Sequence, residues 1–219
     1  MTCVKICGIT QLSDALASAQ MGAKLIGLNF YKKSPRYFLP DDAQHLVHAL
    51  RHELGQATPT LVGVFVNEAV GTVGYIIRHV GLDFVQLCGD ESLEMFQELG
   101  GRAFKAIQPM NTPMGLEDAR YFAPTFVADE RAPSLLLDAY HPQLRGGTGE
   151  TASVEVALAI KAQVPRLMLA GGLTPDNVYE RVQAIAPWGV DVASGVESGT
   201  AGIKDLGKVK AFIDASKAF

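Results

Sequence analysis

The sequence predicts an α/β protein, an eight-stranded parallel (β/α)8 TIM barrel that forms a single domain over residues 1–219. Short, nearly continuous apolar strands alternate with helical stretches, and eight such repeats can be counted along the chain. Strands without polar alternation belong to a parallel sheet buried on both faces. Eight units in 219 residues suit a closed barrel better than an open doubly wound sheet, which uses fewer strands. The 48% hydrophobic content is enough to fill one sizeable core.

Val4-Lys5-Ile6-Cys7 opens the chain as a strand whose polar pair, Lys5 and Cys7, shares one face. Gly8, which follows, leaves room for a ligand to approach the backbone. Leu12 to Met21 has helical spacing, with Thr10 or Ser13 as a cap and Gly22 as a stop. Leu25 to Phe30 is a strand, and Pro40-Asp41-Asp42 opens a helix to Leu54, since proline and acids favour a helix N-terminus. The valine-rich run Leu61 to Val66 is the third strand, followed by a helix from Asn67-Glu68 to about Gly81. Phe84 to Leu87 and Ala103 to Ile107 are strands, Ser92 to Leu99 and Leu116 to Phe122 helices, and Ala123 to Ala132 coil. Leu135 to Leu137 is strand six, and a loop, Ala139 to Thr151, leads to a helix over Val154 to Ala162. Arg166 to Ala170 is strand seven, Thr174-Pro175-Asp176 caps a helix to Ala186, Val190 to Ala193 is strand eight, and Asp205 to Lys217 closes the chain.

Charge and cysteine usage narrow the function. Nineteen Lys and Arg against 23 Asp and Glu give a net charge of -4, so no basic surface awaits nucleic acid. No apolar run reaches the length of a membrane span, and the N-terminus enters a strand directly, which points to the cytoplasm. Cys3, Cys7 and Cys88 read as thiols: a Cys3–Cys7 bridge would join nearby positions of one extended strand, and no metal-ligand spacing is present. No metal site is expected from these residues. The face carrying Val209, Phe212 and Ile213 could be core or interface, so the chain is expected to be a monomer or a homodimer.

In this barrel class the site is built at the strand C-terminal ends. Cys7 lies there after strand one, Asn29 and Arg36 after strand two, Cys88 after strand four, Asp138 after strand six and Asp191 near the end of strand eight. Gly171-Gly172 and Ser194-Gly195 are glycine turns on the last two loops, where barrels commonly bind phosphate through backbone amides. A phosphate-bearing small molecule is therefore the expected partner. Asp138 follows three leucines, and desolvation there raises its pKa and suits it to be a general acid. Cys7 can act as a base if a nearby cation such as Lys5 supports its thiolate. Asp191 is a candidate substrate contact and can also pair with Lys5, the role we favour for both. Arg36 offers a planar fork to a carboxylate.

The blocks KICGIT at the start, NFYKKSPRY at 29–37, GVFVN at 63–67, VQLCGDE at 85–91, LLLDAY with RGGTGET at 135–151, LAGGLTPDNV at 169–178 and VDVASGVE at 190–197 extend the argument. Together they resemble phosphoribosylanthranilate isomerase of tryptophan biosynthesis, in order and over essentially the whole chain. The resemblance implies the same barrel fold and an Amadori rearrangement without cofactor or metal. It also implies that Cys7 is the general base, Asp138 the general acid and Arg36 the holder of the anthranilate carboxylate, with Gly171, Gly172, Ser194 and Gly195 holding phosphate. Two positions depart from the family pattern: Cys88 stands where histidine is usual, and Lys32 where proline is usual. A bifunctional isomerase that also serves the histidine pathway would need paired aspartates ending strands one and five. Here those positions are Cys7 and Ile107-Gln108. A non-catalytic phosphoribosyl-binding barrel would keep the glycine turns without the chemistry.

Overall fold

The computed structural model describes residues 2–139 and 153–217. Its eight strands, all paired in parallel, close in chain order, and β1 returns to pair with β8. They are β1 Cys3–Cys7, β2 Leu25–Asn29, β3 Thr60–Phe65, β4 Phe84–Leu87, β5 Ala103–Ile107, β6 Leu135–Leu137, β7 Leu167–Leu169 and β8 Gly189–Val192. The helices between and after them are α1 Leu12–Met21, α2 Pro40–Leu54, α3 Val70–Ile76, α4 Leu93–Glu98, α5 Thr112–Phe122, α6 Val154–Lys161, α7 Val178–Ile185 and α8 Leu206–Lys217.

Strand alternation divides the interior into two compartments. Val4, Ile6, Ile26, Leu28, Leu61, Leu135 and Leu137 face outward into the layer packed against the helices. The other parity fills the barrel, where Leu25, Val62, Phe84, Phe104, Leu136 and Met168 form an apolar plug. Above the plug the same inward rows turn polar, with Lys5, Gln86 and Asp191 all buried. Apolar filling below and polar groups above put the chemistry at the C-terminal mouth. Val209, Phe212 and Ile213 of α8 are fully buried, so that face is core.

Several boundaries differ from those read in the sequence, each for a local reason. The fifth helix begins at Thr112, not Leu116, because Asn111 caps it by accepting from the Met114 amide and Pro113 is tolerated in its first turn. α1 starts after Gln11 and has no side-chain cap, so neither Thr10 nor Ser13 serves there. Gly22 does end it, at φ 108°. α7 starts at Val178, because Asn177 folds back to accept from the Thr174 amide and donate to the Gly172 carbonyl. α3 begins at Val70 and passes into one π turn, Ile77–Gly81. The loop read over Ala139 to Thr151, with RGGTGET, lies outside the described residues after Ala139.

Candidate active site

A cavity of about 530 Å³ opens at the mouth, lined by Cys7, Arg36, Cys88, Gln108, Asp138 and Asp191 and by both glycine turns. That size is ordinary for a small-molecule site. The eight residues expected to act in catalysis or substrate binding meet there, Cys7, Arg36, Asp138, Gly171, Gly172, Asp191, Ser194 and Gly195, together with the strand-end candidates Asn29 and Cys88.

Cys7 is the last residue of β1 and is buried. The space its sulfur occupies is left by Gly27 on the neighbouring strand, where an added Cβ would stand 2.7 Å from Sγ. Burial pushes the Cys7 thiol up, Lys5 and Lys204 pull it down, and Asp191 adds to the rise. Lys5 alone thus does not make a resting thiolate, because loss of hydration outweighs it. Lys5 itself is fully buried, donating to Gln86 Oε1 at 2.8 Å and to Asp191 Oδ2 at 2.9 Å. The ion pair expected from the sequence forms because barrel closure sets Lys5 and Asp191 directly opposite on β1 and β8. Asp191 Oδ1 is buried and has no hydrogen-bond partner among the described residues.

Asp138 follows β6 and is held at both oxygens. Oδ1 accepts from the Ala139 amide at 2.9 Å, and Oδ2 accepts from Gln108 Nε2 at 2.8 Å. Burial raises its pKa to about 6, with Asp191 adding to the rise and Gln108, the Ala139 amide and Lys5 opposing it. Two acidic and basic candidates therefore enter one cavity from β6 and β1, with β7 and β8 between them.

Arg36 departs from the simplest expectation. Its Nε and Nη2 donate to the two oxygens of Glu197, both at 2.7 Å. Glu197 is in turn held by the Gly202 amide at 2.9 Å and by buried Lys204 at 3.2 Å. One edge of the guanidinium is thus spent on orientation, and the end-on edge with Nη1, unbonded among the described residues, is left to meet a ligand.

The two glycine turns pack as one unit. Gly171 has φ +81°, and a Cβ there would stand 2.6 Å from Asp138 Oδ1. A Cβ on Gly195 would stand 1.9 Å from the Leu173 carbonyl oxygen. The β7 and β8 loops can approach this closely only without side chains. Cys88 lines the cavity, accepts from Gln86 Nε2 at 3.3 Å, and is pushed up to about 12 by burial. Lys32 is exposed and does not line it. Gln86, Gln108, Glu197 and Lys204 carry no such signal in the sequence: Gln86 and Glu197 act through partners far along the chain, Lys204 acts on Glu197 seven positions before it, and only Gln108 stands at a noted strand end.

Residues 4–215 match the family model for N-(5'phosphoribosyl)anthranilate (PRA) isomerase. The chain belongs to this isomerase family. An N-(5'-phosphoribosyl)anthranilate isomerase from Trichlorobacter lovleyi is 41% identical over 214 residues, covering 98% of this chain and 97% of that one. The crystal structure of phosphoribosyl anthranilate isomerase from Thermotoga maritima superposes with a TM-score of 0.86 at 35% identity, covering 100% of both chains. A further family structure, with a TM-score of 0.83 at 33% identity and 100% of both chains covered, is a complex with reduced 1-(o-carboxyphenylamino)-1-deoxyribulose 5-phosphate. Among the described residues no helix is long and apolar enough to cross a membrane.

Proposed function

We propose that this chain isomerises N-(5'-phosphoribosyl)anthranilate with Asp138 as general acid and Cys7 as general base. Family membership gives the reaction, an isomerisation in tryptophan biosynthesis. The observation that supports the residue roles is the entry of Asp138 and Cys7 into one cavity from separate strands, beside an oriented arginine and two fused glycine turns.

The chemistry follows from that arrangement. Asp138 gives its proton to the furanose ring oxygen, the bond from that oxygen to the anomeric carbon breaks, and the nitrogen lone pair forms a protonated imine. Cys7 takes the proton from the adjacent carbon, and the C–H electron pair forms the enolamine, which tautomerises to the ketone. One carbon is oxidised as its neighbour is reduced, so no outside oxidant is consumed. The cation formed on the substrate lies where Cys7 must ionise, and it lowers the thiol's pKa at the moment of need. Arg36 binds the anthranilate carboxylate through its end-on edge, and the amides of Gly171-Gly172 and Ser194-Gly195 bind the phosphate. Asp191, ion-paired to Lys5, stands in the sugar's wall of the cavity and contacts substrate there.

The test is the fall of anthranilate-type fluorescence on adding protein to fresh substrate, with native protein and Arg36→Met compared. A lost charge-assisted hydrogen bond is worth about 1.5–3 kcal/mol, so KM should rise roughly 10- to 100-fold while kcat changes less. Glu197 keeps Lys204 and the Gly202 amide in that variant, so the loop retains its partners. An unchanged KM would remove Arg36 from substrate binding. Gly195→Ala drives the Leu173 carbonyl away and opens the cradle; overpacking should cost about 1–3 kcal/mol in a urea melt. Inorganic phosphate, followed by calorimetry, should bind that variant more weakly, and equal affinity would place the phosphate elsewhere.

A further inference from the structure

Gln108 has no role in the scheme above, yet its side chain spans from the end of β5 to the acid on the next loop. Its Nε2 donates to Asp138 Oδ2 at 2.8 Å, while the Ala139 amide holds Oδ1, so the carboxyl is clamped at both oxygens. We propose that Gln108 is a positioning residue for the acid: its carboxamide aims Asp138 at the sugar ring and stabilises the carboxylate left behind as the proton departs. The inference rests on the reading of Asp138 as the acid.

A hydrogen bond donated to a carboxyl group strengthens as negative charge develops on it. That charge is absent in the protonated form that reacts and grows as the ring oxygen takes the proton, so from that form Gln108 contributes more at the transition state than in the ground state. Among the described residues, the other side chains facing Asp138 leave this task to Gln108. From β8, Asp191 repels the new charge; from β1, Lys5 attracts it but is already paired with Asp191; and Cys88, beyond β4, is a thiol held neutral by burial. Among the described residues the one short-range supplement is the Ala139 amide.

A pH profile separates this role from simple packing. The active form needs Asp138 protonated and Cys7 ionised, although Asp138 titrates near 6 and Cys7 above the ordinary thiol value of 9.0. Below the Asp138 pKa the acid is fully protonated, and each lower pH unit removes about nine-tenths of the thiolate, so kcat/KM falls. Above it, loss of the acid's proton cancels the gain in thiolate and the profile is flat. The break between the two regions belongs to Asp138. Removing a donor that favours the carboxylate raises that pKa and moves the break to higher pH.

Gln108→Met keeps the side-chain length and deletes the donor. We expect its kcat/KM break to move up by about one pH unit, a tenfold change in proton affinity, with kcat reduced. The substrate's phosphate also titrates near 6, roughly, but it is the same molecule in both assays and cannot produce a difference between them. A carbon-13 titration of the Asp138 carboxyl, assigned by its disappearance in Asp138→Asn, should show the same upward displacement without turnover. Gln108→Glu places a second carboxylate beside the first and should move the break further up; it carries the test if Gln108→Met does not fold. A break and a carboxyl titration that both stay in place would overturn the inference. Turnover surviving in Asp138→Asn would overturn the acid assignment as well, whereas an inactive Asp138→Asn with an unmoved break overturns the role of Gln108 alone.

Discussion

Asp138→Asn is expected to lower kcat by about 10²–10⁴-fold, the usual contribution of a positioned general acid. Affinity for reduced 1-(o-carboxyphenylamino)-1-deoxyribulose 5-phosphate should change little, because neither Arg36 nor the glycine turns are altered. Asparagine fits the same space, accepts from the Ala139 amide through its carbonyl, and can face Gln108 once that carboxamide rotates. What it cannot do is give up a proton. Cys7→Ser should fall by a similar factor for the opposite reason: a hydroxyl in the same buried place, crowded against Gly27, does not ionise as a thiol can. Single-turnover fluorescence with each variant, paired with calorimetric titration of the reduced product, checks both. Near-native turnover in either would strike that residue from the scheme, and a parallel loss of affinity would turn its role from chemistry to binding.

The barrel was legible because its signals are local. Leu135-Leu136-Leu137 is apolar on both faces, as only a strand enclosed on both sides requires, and the next residue, Asp138, then stands at the mouth. In the same way Lys5 and Cys7 alternate with Val4 and Ile6, and the structure turns the first pair into the barrel and the second toward the helices. Even the Lys5–Asp191 pair could be anticipated, since counting to eight makes β1 and β8 neighbours. The missed features are those in which two distant loops meet. Glu197 grips Arg36 across 161 positions, and neither residue's surroundings reveal that the β2 and β8 loops converge. Lys204 reaches the same carboxylate from the segment before α8, so a carboxylate read only as the end of a motif proves to be a hub of three donors. Gln108 is the instructive case. In the sequence it stands out only for what it is not, an aspartate, and a neutral amide carries no charge pattern that points to a partner.

Lys5→Met should be the most damaging substitution outside the acid and base. Burial works against the charge on Lys5, and the Asp191 carboxylate and Cys7 together outweigh it and hold the ammonium above its ordinary value. Methionine leaves Asp191 buried with neither oxygen satisfied, and breaking a buried pair in this way costs about 3–5 kcal/mol. For a chain of this length that loss corresponds to a Tm lower by roughly 10 °C, readable by circular dichroism. The rate should suffer separately, because Cys7 loses the nearest cation opposing its rise, and kcat/KM is expected to drop at least about 10-fold. The double variant Lys5→Met, Asp191→Leu resolves the two effects. Replacing a whole buried ion pair with apolar groups is often neutral or stabilising, so Tm should recover. Catalysis should not, since neither substitution returns a cation to the thiol. Recovery of both would make the pair purely structural, and recovery of neither would show that the stranded Asp191 charge is not what destabilises the single variant.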